Sequence, residues 1–439
     1  MSAIVTLIKK SVFGQSAENG YWLFSKIPPA VIKKMENGSF CQTIRYVAEH
    51  SAFYRRKFAK LNIDPTRVRV PQDLGDFFTT AEDIRNHVEE FVCQRPDTAF
   101  ETTGTVSKRP KRVYYSREEV SEAGWAGAIG LYGLGIRKED RIASAFDYSF
   151  WVSGPVLHAS CGVLGCFHVE AGRLDPNEFY DRLHDYGITV IVGDPSWMVG
   201  LAEVAAKRGP WPVKLLLGGG ENLTEESRKF VEDVWKTDFL LSYGQTEAFG
   251  ALGIESRAKN GLHVNEFHNR FEIVNPDSDG YGELIYTTLN RRVMPLVRYR
   301  SGDITRFLEG PSGSNLPGAR ISKLKGRVDE WTPTAMGNLA PWMFEPVFSK
   351  LEGITPDWQI TVEREGTKDL IRFHFEAKDN GLNEVGFREY LVNRLDQDLA
   401  EPFRGGFRMG LFKVETQIHA RGELRPGRKL RRILDLRKF

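Results

Sequence analysis

Cysteine is scarce: the 439 residues contain four, Cys41, Cys93, Cys161 and Cys166. None forms a Cys-x-x-Cys pair and no His-x3-His accompanies them, so a structural zinc site is not expected and no disulfide framework is implied. Cys161 and Cys166 lie in an apolar stretch and read as packing residues. A surplus of charge is also missing. Lys plus Arg total 60 and Asp plus Glu 58, for a formal net charge of +2, which offers no global electrostatic reason to bind nucleic acid. No run approaches the ~18 consecutive apolar residues of a membrane span. The segment from Met1 to Gly14 is broken by Lys9 and Lys10 and lacks the apolar core of a signal peptide. The expectation is a soluble cytoplasmic protein without nucleic-acid or membrane partners. Internal repeats, low-complexity tracts and the GxxxxGK[ST] phosphate loop are absent too.

Core-forming residues are plentiful: 41% are hydrophobic and 12% aromatic. A chain of this length exceeds one ordinary core and predicts two or three domains. Residues 1–95 read as mostly helical, with Ile44 to Phe58 carrying apolar residues at helical spacing. From about 97 to 310, short apolar runs alternate with helical stretches. Arg141–Phe146, Thr189–Gly193, Val213–Leu217 and Phe239–Tyr243 read as strands, and Ser153–Leu164 as a helix whose small residues face a close neighbour. That alternation argues an α/β fold with a parallel sheet and functional loops at the strand C-termini. Gly282–Thr288 and Leu296–Tyr299 read as further strands, and residues 309–318 as a turn-rich surface loop. After Gly326 the character changes to a small α+β region. Trp358–Arg364 and Leu370–Phe375 read as a hairpin, Leu382–Leu399 as a helix and Leu411–Ile418 as a strand.

Several segments carry chemistry. Thr102-Thr103-Gly104-Thr105-Val106-Ser107-Lys108 is rich in hydroxyls around a glycine, a composition suited to cradling phosphate oxygens. Gly219-Gly220-Glu221 closes a strand, where glycines let a flat ring approach the backbone. Tyr243-Gly244-Gln245-Thr246-Glu247 follows the next strand, and Tyr299-Arg300-Ser301-Gly302-Asp303 and Gly326-Arg327-Val328-Asp329 come after it. Lys429 stands within a basic run from Arg425 to Lys438, which otherwise reads as a solvated tail. Phe146-Asp147-Tyr148-Ser149-Phe150-Trp151 sets one carboxylate among aromatic rings.

In this order the motifs resemble the ANL superfamily of adenylate-forming enzymes, which comprises acyl-CoA synthetases, peptide-synthetase adenylation domains and luciferases. The phenylacetate–CoA ligase branch fits in particular. The resemblance implies an α/β fold with a large multi-layer N-terminal adenylation domain, residues 1–327, and a small mobile α+β C-terminal domain, residues 328–439. It implies ATP and Mg2+ as cofactors, and activation of an aromatic or small amine-bearing carboxylic acid to an acyl-adenylate that is passed to a thiol or amine acceptor. Thr102, Thr103, Gly104, Thr105 and Lys108 then map to the phosphate loop, and Gly219, Gly220, Glu221, Tyr243 and Gly244 to the adenine site. Thr246 maps to the α-phosphate contact, Glu247 to the Mg2+ ligand, and Asp303 and Arg327 to the ribose. Asp329 maps to the hinge about which the small domain turns. Lys429 maps to the catalytic cation on the carboxylate and α-phosphate.

The departures from the family pattern are Val106, Ser107 and an inserted Arg109 in the phosphate loop, Arg428 in place of a glycine, and Ala335-Met336 in place of an Arg-Gly pair. They leave the acceptor open among CoA, a carrier-protein thiol and an amine. They also leave open a nucleotide-binding protein without turnover. Phe146, Asp147, Tyr148 and Phe150 map to the acid pocket. Asp147 reads either as a partner for a substrate amine, as in an amino-acid-activating enzyme, or as an aspartate bonded to its own backbone. Homodimerisation is left open.

Overall fold

The computed structural model describes residues 16–102, 110–289, 291–328, 332–334, 337–365, 368–379, 382–398, 412–425 and 430–437. The first helices are α1 (Ala17–Lys26), α2 (Pro29–His50), α3 (Ala52–Lys60) and α4 (Ala81–Phe91). Their boundaries are set by side chains that satisfy the free N–H groups of a first turn. Ser51 ends α2 and caps α3, with its hydroxyl accepting from the Tyr54 N–H. Ile44 to Phe58 is therefore two helices rather than one. Thr80 and Asp83 form a reciprocal capping box on α4. Next come the hairpin strands β1 (Thr98–Glu101) and β2 (Arg112–Tyr115), then α5 (Arg117–Gly133), which opens on a Ser116–Glu119 capping box.

The central segments are β3 (Arg141–Ser144), α6 (Ser153–Leu164), β4 (Phe167–Glu170), α7 (Pro176–Leu183), β5 (Val190–Gly193), α8 (Pro195–Arg208), β6 (Leu215–Gly219), α9 (Glu225–Trp235) and β7 (Phe239–Tyr243). β4, β3, β5, β6 and β7 run parallel, as the alternation of strands and helices predicts. The sheet is nevertheless mixed. β8 (Gly253–Glu255), β9 (Leu262–Val264), β13 (Phe307–Leu308) and β14 (Arg320–Ile321) extend it antiparallel to nine strands, in the order β13-β14-β9-β8-β7-β6-β5-β3-β4. These added strands are too short to show a period of two in sequence.

Successive residues of the parallel strands feed opposite faces. Ile142, Val190, Val192, Leu215, Leu217 and Leu240 pack against Trp125, Ile129 and Leu157 of α5 and α6. Ala143, Ile191, Leu216 and Phe239 pack against Phe179, Trp197 and Leu201 of α7 and α8. Each fully buried Val, Leu, Ile or Phe among them contributes about 1.5–3 kcal/mol. The small residues of α6 do meet a close neighbour. A Cβ on Gly124 of α5 would lie 2.3 Å from that of Ala159, and one on Gly127 would lie 2.4 Å from the Ser160 hydroxyl.

β10 (Asn269–Val274) and β11 (Gly282–Thr288) pair antiparallel, and β12 spans Tyr299–Thr305. The strand expected at Leu296–Tyr299 thus begins only at its last residue. Arg298 is held at φ +46, a left-handed conformation that interrupts extended backbone.

Contacts divide the chain into two compact units. One holds Met1–Leu223, Arg228–Ser301 and Thr305–Lys323, and the other holds Thr224–Ser227, Gly302–Ile304 and Leu324–Phe439. In the second unit, β15 (Gly326–Arg327) pairs with β12 at Ile304 and Asp303, and β16 (Thr332–Thr334) pairs antiparallel with β17 (Gly337–Leu339). These precede α10 (Pro341–Phe348), β18 (Ile354–Glu365), β19 (Lys368–Ala377), α11 (Glu384–Asp398), β20 (Phe412–His419) and β21 (Ile433–Asp435). β18 and β19 form the expected hairpin, inside a four-stranded sheet ordered β20-β19-β18-β21. Phe344 and Phe348 of α10 and Phe387 and Leu391 of α11 close its core over Trp358, Ile360 and Phe373.

Candidate active site

The hairpin β1–β2 carries the hydroxyl-rich loop. At its mouth Thr102 and Lys111 are tied reciprocally: the Thr102 N–H donates to the Lys111 carbonyl at 3.0 Å, and the Lys111 N–H donates to the Thr102 hydroxyl at 3.0 Å. Thr103, Gly104, Thr105 and Lys108 lie outside the described residues, as do Val106, Ser107 and Arg109. The fixed stem aims Lys111 inward. Its ammonium forms an ion pair with the Glu247 carboxylate and lies 3.1 Å from the Tyr299 hydroxyl, which donates to Glu247 Oε1 at 2.7 Å.

Glu247 is 3% exposed. Burial opposes its charge, but the Lys111 ion pair and the hydrogen bonds from Lys111 and Tyr299 outweigh that cost, so its carboxyl is held below the ordinary glutamate value. Backbone groups around it are fixed as well. The buried Arg291 donates to the Glu247 carbonyl at 2.9 Å and the Tyr114 carbonyl at 2.8 Å, with its guanidinium 4.0 Å from the Tyr115 ring centroid. The Tyr115 hydroxyl donates to the carbonyls of Thr246 and Ala248.

Tyr299 is positioned from the N-terminal helices. Tyr54, fully buried, donates to the Pro295 carbonyl and accepts from the Val297 N–H. The Thr79 backbone bonds to Arg298 and Arg300 on either side of Tyr299. Arg298 does not form a surface pair. It is 5% exposed and donates to Glu272 and to the Gly75 carbonyl. Lys111, Tyr299, Arg291 and Tyr115 were not singled out as site residues in the sequence. The available signals were Pro110-Lys111 directly after the loop, and the place of Tyr299 inside its own motif.

Other expected residues gather at the ends of β6 and β7. A Cβ on Gly219 would come 2.7 Å from the Ser242 hydroxyl and 3.3 Å from Phe146, so the glycine brings Phe146 onto the strand end. Gly220 takes φ +88 and turns the chain. Glu221 accepts from the Ser196 N–H at 3.1 Å, in the first turn of α8. Tyr243 is buried at the end of β7 while Gly244 is exposed. Gln245 ties the loop down, donating to the Ser301 carbonyl and accepting from the Tyr286 hydroxyl.

In the aromatic segment, Asp147 Oδ1 accepts from both the N–H and the hydroxyl of Ser149, at 2.7 and 2.5 Å. One oxygen is thus spent on a local turn. Tyr148 lies on Gly154 of α6, and Phe150 is exposed.

The second unit holds its own pair. Arg327 donates to Asp303 Oδ1 at 2.9 Å across β12 and β15. Gly302, at φ +78, makes room, since a Cβ there would stand 2.6 Å from the Arg327 guanidinium. Asp329, Ala335, Met336, Arg428 and Lys429 lie outside the described residues.

The chain resembles known proteins in sequence and in fold. A family profile described as AMP-binding enzyme matches residues 102–284. The chain is 28% identical to the phenylacetate-coenzyme A ligase of Thermus thermophilus, covering 94% of this chain and 98% of that one. It is 27% identical to the ligase of that name from Pseudomonas putida, covering 86% and 87%. Among solved structures, 2-hydroxyisobutyryl-CoA ligase in its postadenylation state with 2-HIB-AMP superposes with a TM-score of 0.80 at 20% identity, over 93% of this chain and 90% of that chain. No helix among the described residues is long and apolar enough to cross a membrane.

Proposed function

The chain belongs to the AMP-binding (ANL) superfamily of adenylate-forming enzymes, with phenylacetate–CoA ligase-like relatives, and from that premise we propose that it joins an aromatic or small carboxylic acid to coenzyme A through an acyl-adenylate. The observation that carries the reading is the buried Glu247 carboxylate. It is kept ionised by Lys111 and Tyr299, immediately after the loop that ends β7 and beside the stem of the hydroxyl-rich hairpin. A single buried carboxylate with few competing acids suits Mg2+, which takes one or two carboxylates and completes its shell with substrate phosphates and water. Bound with ATP, the ion would screen the charge that grows as pyrophosphate leaves.

The protein supplies no nucleophile. In the proposed first step, an oxygen of the substrate carboxylate attacks the α-phosphorus and the bond to pyrophosphate breaks. In the second, the thiolate sulfur of CoA attacks the acyl carbonyl and AMP leaves. Positioning and electrostatics carry the catalysis. Lys111 and Glu247 hold the charges at the phosphates, Thr246 and the hairpin loop hold the oxygens, Asp303 and Arg327 hold the ribose, and Lys429 meets the acid. Phe146, Tyr148 and Phe150 supply apolar surface for an aryl or small acyl group. The local turn at Asp147 favours a plain acid over an amine-bearing one.

ATP–pyrophosphate exchange over a panel of aryl, small aliphatic and amino acids tests the first step. Thioester formation with CoA, against a carrier thiol and free amines, tests the second. Exchange with no acid of the panel would sink the reading. Exchange without CoA thioester would leave the activation and move the acceptor to a carrier or amine, as Ala335-Met336 would suit.

A further inference from the structure

Helix α6 ends at Gly165, which takes the left-handed φ of +70 that lets the chain reverse. β4 begins two residues later and, among the described residues, lies at the open edge of the nine-stranded sheet, paired only with β3. His168 and Glu170 alternate along β4 and so share one face. His158 comes from α6, the helix that folds back beside it. The three side chains converge, with one ligating atom from each lying within 4.8 Å of the others. His158 Nδ1 already contacts Glu170 Oε1.

His168 carries the most telling geometry. Its Nε2 lies 3.3 Å from the Tyr148 hydroxyl, whereas its Nδ1 is buried with no hydrogen-bond partner. A buried imidazole nitrogen with nothing to bond is costly. If Nε2–H donates to the Tyr148 oxygen, Nδ1 keeps a bare lone pair. That is the arrangement found behind metal-binding histidines, whose second nitrogen is fixed by a hydrogen bond.

We propose that His158, His168 and Glu170 form a binding site for a divalent transition-metal ion of the zinc type, separate from Glu247. Two imidazoles and one carboxylate match the nitrogen–oxygen preference of such ions. They offer too few oxygens for calcium and the wrong donors for magnesium. With His158 and Glu170 side chains 66% and 40% exposed, water completes the shell from the open side. No spacing motif announces the site, because its ligands meet only through the reversal from α6 to β4. The site would also fix Tyr148, which is where it touches the acid-binding segment of the proposed function.

The test uses the full chain, stripped with a chelator and held in excess Mg2+ so that carboxylate sites are filled. Zn2+ is titrated in competition with a chromophoric chelator, and Co2+ is followed by its visible d–d absorption. One equivalent is expected to bind, with an absorption of four- or five-coordinate type. Zn2+ should raise the melting temperature of the wild type. His158→Ala and Glu170→Gln should each abolish both signals, and Tyr148→Phe should weaken binding by roughly 10–100-fold, as loss of a supporting hydrogen bond does. His419→Gln, which alters the one other close histidine pair among the described residues, should leave binding intact. Absence of stoichiometric binding to the wild type would overturn the proposal. So would an affinity that His158→Ala and Glu170→Gln leave unchanged. Neither result depends on which acid the enzyme activates.

Discussion

At the scale of single residues, the pairing of Lys111 with Glu247 governs the site, and its energetics can be separated from its chemistry. Removing one member of a buried ion pair leaves the other charged and unpaired, at a cost of about 3–5 kcal/mol. Lys111→Met should therefore lower the melting temperature strongly, and Glu247→Gln less so. The double variant should be more stable than Lys111→Met alone, because no orphan charge remains. All three should lose pyrophosphate exchange. Additive stability losses in the double-mutant cycle would show that the two residues do not act as a pair. Gly302 is a second case. Alanine there meets a φ of +78 and the Arg327 guanidinium. The strain costs about 1–2 kcal/mol, and the flexible Arg327 relieves the clash by leaving Asp303. Gly302→Ala should then raise the KM for ATP more than it lowers kcat, and an unchanged KM would remove Arg327 and Asp303 from nucleotide binding. Glu247, Asp303 and Arg327 were named as candidates from their motifs. Lys111 and Tyr299 were not assigned as neighbours of Glu247 because hairpin register and clamping by Tyr54 and Thr79 are tertiary facts. Asp147 stood between two readings in the sequence, and the Ser149 contacts that bear on the choice are backbone geometry.

At the scale of elements, strands and helices with strong period or punctuation were readable. Ser153–Leu164 and Gly282–Thr288 match α6 and β11 to the residue. β8, β9, β13 and β14 were not, because two or three residues carry no periodicity and only pairing with neighbours makes them strands. The sheet of the second unit holds a chain of hydrogen bonds that sequence could not show. His419 Nε2 lies 2.9 Å from His374 Nδ1, His374 Nε2 lies 3.0 Å from the Thr361 hydroxyl, and that hydroxyl donates to Glu363. With Thr361 donating to Glu363, His374 must give Nε2–H to Thr361 and accept at Nδ1 from His419. The chain runs one way and needs His374 neutral. Burial, then the neighbouring His419 and Arg372, lower the His374 pKa from 6.5 to about 4. A histidine depressed in the folded state contributes stability above its unfolded value and loses it as protons bind the unfolded chain more readily. Melting temperature should therefore fall as pH drops from about 6.5 toward 4. His374→Asn should flatten that part of the profile while lowering stability at neutral pH. An equally steep profile in the variant would place the acid sensitivity elsewhere.

At the scale of the whole molecule, the proposed reaction has two steps with different demands, and the basic C-terminal run provides a way to separate them. Lys429 lies outside the described residues, so its role rests on resemblance to the family's terminal Gly-Lys-x-x-Arg motif, whose arginine corresponds to Arg432. The register of that motif is anchored in the second unit. β21 pairs with β18, the Ile360 N–H donates to the Arg432 carbonyl at 2.7 Å, and Arg432 donates to the Trp358 carbonyl while covering its ring. A strand fixed so firmly makes Arg432 the reference from which Lys429 is counted. A cation brought to the carboxylate and α-phosphate stabilises charge that develops only in the transition state, so its loss should lower kcat far more than ATP binding. Lys429→Ala should reduce pyrophosphate exchange by roughly 10²–10³-fold, the scale of one lost electrostatic contact in a preorganised site. Melting temperature and ATP binding should stay near wild type. If the small unit turns about Asp329 between the steps, Lys429 serves only the first. CoA should then still consume a supplied acyl-adenylate at close to the wild-type rate. Equal loss of both half-reactions would place Lys429 in both steps and argue against alternation. Unchanged exchange would remove Lys429 from the site and move the catalytic cation to Arg428.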